Sequence, residues 1–132
     1  MAEDTTRAVD TTPSAEAVAD EVRYANAQAA SHGFGAGQVQ ASRLFDGWEP
    51  HEAQGIAGRV LENLDLAQAY AERATPPFAD YVNGLKADPD LARTLTPERL
   101  TTLEMVFLTG FDIGFRATLV ERCTRTREFA TP

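Results

Sequence analysis

From Leu100 to Cys123 apolar residues recur at the three- and four-residue spacing of a helix face. Leu100, Leu103, Phe107, Leu108, Phe111, Phe115 and Leu119 fall on one broad side. Met105, Val106, Ile113, Val120 and Cys123 form a second band roughly opposite, and Thr109, Asp112 and Arg116 make a narrow polar strip between them. A helix apolar over most of its circumference is covered on several sides, by other helices or by a second subunit. This stretch is therefore expected to be the central helix. It does not read as a membrane span, because Glu104, Asp112 and Arg116 interrupt it and leave no run of about 18 uncharged apolar residues.

Upstream, prolines punctuate the pattern. Thr12-Pro13, Glu49-Pro50, Thr75-Pro76, Asp88-Pro89 and Thr96-Pro97 each set a polar residue before a proline, which suits the start of a helix, where the missing N–H would be unpaired anyway. A first helix is expected over Pro13 to Ser31, with Ala15, Val18, Ala19, Val22, Ala25 and Ala29 facing inward. His32-Gly33 reads as its end, with Gly33 in the left-handed cap position and residues 33–37 as a loop. A short helix follows over Gln38 to Asp46, then a turn anchored by Trp48. A long helix spans Pro50 to Ala74 with Ile56, Val60, Leu64, Ala67 and Ala71 inward. A fourth covers Pro76 to Ala87, and a brief turn over residues 88–95 leads into the central helix.

No strand signal appears: alternation is absent and β-branched residues are sparse. The expected fold class is all-α, an irregular bundle of four to five helices around a central C-terminal helix. The expected organisation is a disordered acidic arm over residues 1–12, one helical domain over 13–127, and a flexible tail over 128–132, with fraying beginning past Cys123.

Composition narrows the function classes. A net charge of −8 disfavours a nucleic-acid or anionic-membrane partner, since both need a basic surface. The single cysteine, Cys123, cannot form an internal disulfide and sits on an apolar band, which suggests a buried thiol in a reducing compartment. The acidic opening residues carry no apolar leader, so the cytoplasm is the expected location. Arginine outnumbers lysine eleven to one, the bias of a GC-rich bacterial genome.

Candidate chemistry is thin. His51-Glu52 opens like a zinc-protease motif, but Gly55 stands where the second histidine would be, so no metal and no cofactor are expected. His51 retains value only as an acid or base beside a cleft. Glu104 shares a face with Phe107, Leu108 and Phe111, where a carboxylate must be solvated, paired or shifted toward its neutral form. It is the strongest candidate for an acid, base or ligand anchor in a pocket lined by Phe107, Leu108, Phe111 and Phe115. Asp112 and Arg116 stand four residues apart as a helical ion pair and are weaker catalytic candidates. Glu104 and Asp112 are a poor acid–base pair, with backbones about 12 Å apart along the helix. Gly110 and Gly114, continued by Ala117, form a small-residue strip suited to close approach by another helix of this chain or of a second copy.

Two functional expectations follow. The first is a non-catalytic protein acting through self-association or protein–protein contacts, with a homodimer as its partner state. The alternative is a helical module, or a cofactor-free enzyme, that takes an apolar small molecule in the phenylalanine-lined pocket anchored by Glu104.

Overall fold

A computed structural model describes residues 14–130, so the acidic arm expected over residues 1–12 lies outside the described residues. Those residues form an all-α bundle of six helices: α1 (Ala15–Asp46), α2 (Pro50–Glu62), α3 (Asp65–Arg73), α4 (Phe78–Lys86), α5 (Pro89–Ala92) and α6 (Pro97–Ala130). The two longest, α1 with 32 residues and α6 with 34, dominate the molecule. At 1.5 Å per residue they span about 48 and 51 Å.

Helices α1 and α6 lie side by side and point the same way. Ala30 and Phe34 of α1 meet Gly110 and Gly114 of α6, while Gly33 and Gly37 meet Phe107 and Phe111. Because contacts advance together along both helices, α2 to α5 form the return path between them. Four glycines make the approach possible. A β-carbon at Gly33 would sit 2.9 Å from the carbonyl carbon of Phe107, and one at Gly37 would sit 2.7 Å from the amide nitrogen of Phe115. Reciprocally, a β-carbon at Gly114 would lie 2.9 Å from the carbonyl carbon of Phe34. With only hydrogens on those Cα atoms, the backbones touch, and Cα–H groups point at facing carbonyl oxygens.

This contact corrects the expected break after Ser31. Gly33 is not a left-handed cap, since no glycine among the described residues has positive φ, and α1 continues to Asp46 as one helix. Each glycine costs roughly 0.5–1 kcal/mol within a helix. At Gly33 and Gly37 the packing against α6 offsets that cost.

The buried row of α6 is Leu103, Phe107, Phe111, Phe115, Leu119 and Cys123, all 0–2% exposed. A step of four residues advances about 40° around a helix, so this row winds, and different helices cover its two ends. Near Leu103 and Phe107 the partners are Ala25 and Ala29 of α1 with Phe78, Tyr81 and Leu85 of α4. From Phe111 to Cys123 they are Ala41 and Phe45 of α1, Ile56 and Val60 of α2, and Ala67 and Ala71 of α3.

Local chemistry sets the other boundaries. Ser14 caps α1 by accepting from the Ala17 amide at 3.1 Å. Pro50, Pro89 and Pro97 each open a helix, as expected. The Asp88 carboxylate caps the one-turn α5 by accepting from Asp90 N at 2.9 Å, and the Thr96 hydroxyl caps α6 by accepting from Arg99 N at 3.2 Å. The expected Pro50–Ala74 helix breaks at Asn63, which is extended (φ −142°, ψ 97°) and accepts from Asp65 N through its side chain at 3.1 Å. Pro77 disfavours helical geometry at Pro76, so α4 starts at Phe78.

Trp48 fills the α1–α2 corner, with its ring 5.6 Å from Phe45 and 5.5 Å from Tyr70. The Gln40 side chain donates to Thr75 O at 2.7 Å, tying α1 to the segment before α4. Past Cys123, where fraying was expected, α6 continues, and Arg122 and Arg125 pair with Asp46 and Glu121.

Candidate functional site

The structure separates the residues that the periodicity brought together. Phe107, Phe111 and Phe115 are at most 2% exposed and belong to the core. Phe107 packs against Phe78 at 5.4 Å and Tyr81 at 5.3 Å between ring centroids, and Phe111 against Phe115 at 6.0 Å. Glu104 is exposed, and Leu108 is 39% exposed beside it. The winding of the buried row explains the difference. At the level of Glu104 the covered side points toward Leu103 and Phe107, and the direction shared with Phe111 becomes buried only two turns later. Glu104 therefore borders no enclosed apolar space with those phenylalanines.

The other catalytic candidates do not converge with it. His51 is exposed in the first turn of α2, with its Nδ1 3.7 Å from a Glu49 carboxylate oxygen. Asp112 and Arg116 do form the expected i, i+4 pair, with Arg116 Nε donating to Asp112 Oδ2 at 2.9 Å. A partly exposed helical pair of this kind contributes about 0.3–0.5 kcal/mol. Among the described residues, that is the only hydrogen bond or ion pair joining two of these four candidates, and no group of three or more metal-ligating side chains gathers.

Gly110 and Gly114 make a close helix contact, and the partner is α1 of the same chain. Ala117 is exposed and lies off that contact. It belongs instead to an outer row, Met105, Thr109, Ile113 and Ala117, in which each residue stands two positions after a member of the buried row and so about 200° around the helix. Met105 is 65% exposed and Ile113 47% exposed. Leu64, which the pattern placed inward, is 58% exposed because the break at Asn63 turns it out at the start of α3. Leu64, Ala67, Ile113, Ala117 and half-buried Val120 line an open groove of about 330 Å³, with Arg116 at its edge.

Among the described residues, two titratable groups are perturbed. Burial pushes the Cys123 thiol above its ordinary pKa and does the same to the Tyr81 phenol. Cys123 is fully buried against α1 to α3 and is not placed to act as a nucleophile. His32 is no loop residue: it lies within α1 and rests on the Tyr81 ring at 5.0 Å. Its pairing with Tyr81 was hidden in the sequence by the supposed helix end at Gly33. No family model, curated protein or solved structure matches this chain.

Proposed function

We propose that this protein works without catalysis, as a cytoplasmic bacterial helical protein that pairs with a second copy of itself through the outer row of α6. The observation that carries the reading is the outward placement of Met105 and Ile113 two turns apart, next to the apolar groove that begins at Leu64. Such a row is self-complementary. A two-fold axis at Thr109 sets Met105 against the partner's Ile113, and Ile113 against the partner's Met105, as an isologous interface requires. Removing these side chains from water contributes about 25 cal/mol per Å² of apolar surface. The single buried thiol, Cys123, suits a reducing compartment.

Light scattering coupled to size exclusion, run from low to high micromolar protein, tests the reading. A mass rising to twice the chain mass of 14.3 kDa is expected. A mass that stays monomeric throughout that range overturns it.

A further inference from the structure

A second cavity lies at the other side of the molecule, where the N-terminal half of α1 meets α4, α5 and the first turns of α6. It has a volume of about 270 Å³. Its walls are apolar: Ala25, Leu85, Leu95 and Leu103 line the interior, and exposed Leu91 and Tyr24 form its outer lip. Its polar groups carry one full charge, that of Arg99, among neutral groups that can donate a hydrogen bond. These polar groups include the Arg99 guanidinium, His32 and the Tyr81 phenol.

We propose that this cleft binds a small organic monocarboxylate, with its aromatic or branched apolar body among the leucines and its carboxylate on Arg99. Three observations support that class of ligand. The chain carries 20 acidic against 12 basic residues, yet among the described residues no aspartate or glutamate lines the cleft. Arg99 is half-buried, and among the described residues its guanidinium has no carboxylate partner. Third, one wall is built on the core: His32 rests on Tyr81, which packs in turn on Phe78 and Phe107.

An arginine half-withdrawn from water beside apolar walls is a planar donor that fits a carboxylate bidentately. The volume lies just below the usual range of small-molecule sites, about 300–1,000 Å³, which restricts the ligand to a small acid. A single guanidinium backed by neutral donors matches one negative charge better than the two of a phosphate.

The test compares phenylacetate, its neutral isostere phenylacetamide, and inorganic phosphate, by amide chemical-shift titration of the full chain. Phenylacetate is expected to shift resonances of α1, α4 and the start of α6, and to bind at least about tenfold more tightly than phenylacetamide. Arg99→Gln should remove that preference, whereas Arg59→Gln, on the exposed side of α2, should leave it intact. Leu91→Glu at the exposed lip should weaken phenylacetate by a larger factor than phenylacetamide, since the added charge repels only the acid, which guards against a folding defect at Arg99. Equal binding of acid and amide, stronger binding of phosphate, or no binding of phenylacetate at millimolar concentration would each overturn the proposal. The cleft shares no residue with the outer row of α6, so this test and the self-association test fail independently.

Discussion

The backbone carbonyl of Phe107 occupies the space that a side chain on Gly33 would need. Through that contact and its three counterparts, α1 and α6 are held at a backbone separation that no other residue type permits. The glycines of α1 are therefore unequal, although they stand close together in sequence.

Gly33→Ala should destabilise the protein by about 1–3 kcal/mol or more, because the new methyl meets backbone, which has no rotamer in which to escape. Gly35→Ala should stabilise it by about 0.5–1 kcal/mol, since no atom lies within 4 Å of a β-carbon there. Urea unfolding of the two variants checks this pair. Effects of the same sign would contradict the parallel contact of α1 with α6.

Glu104→Gln should change stability by no more than about 0.5 kcal/mol, the ordinary effect of an exposed substitution. Thermal unfolding beside the parent chain measures it. A gain of several degrees would restore the buried-carboxylate reading that the structure removes.

Ile113→Glu should abolish self-association while leaving the unfolding free energy of the monomer nearly unchanged, because the side chain faces outward from the core row. Light scattering combined with denaturation at low protein concentration reads both quantities. Loss of monomer stability would mean that Ile113 packs within its own chain.

Stability should fall as pH rises through the alkaline range. Cys123 and Tyr81 hold their protons more tightly in the folded chain than in the unfolded one, since burial raises both pKa values. Above the ordinary thiol value of 9.0 the unfolded state therefore binds fewer protons than the native state, and unfolding becomes progressively easier. The Cys123 contribution is complete below that value and is lost as pH climbs through the folded pKa. Denaturation from pH 7 to 10 should show the decline, and Cys123→Ala should flatten it. An unchanged slope in the variant would assign the decline to other groups.

Much of the fold was legible from short-range signals. The prolines at 50, 89 and 97 begin helices because their fixed φ suits a first turn, and Leu103 through Leu119 form the core because apolar residues four apart share a winding row. Residues 33–37 were misleading for a definite reason: glycines crowded near a histidine look locally like a helix end. Their role in contact with Phe107 and Phe111 depends on residues far along the chain. Glu104 misled in a related way, because a fixed face drawn on a helical wheel ignores the rotation of the covered side along α6. The cleft beside Arg99 was illegible, since it joins the N-terminal half of α1 to residues of α4, α5 and α6 that no local pattern relates.

The parallel alignment of α1 with α6 also bears on how the chain folds as it is made. The glycine-bearing middle of α1 has weak intrinsic helicity, and the surface that supports it is synthesised only after α2 to α5. A nascent chain ending before α6 therefore lacks the backbone that covers Gly33 and Gly37, and closing so long a loop makes the decisive contact a late one. Folding should therefore be a single event that waits for α6 to emerge and complete α1.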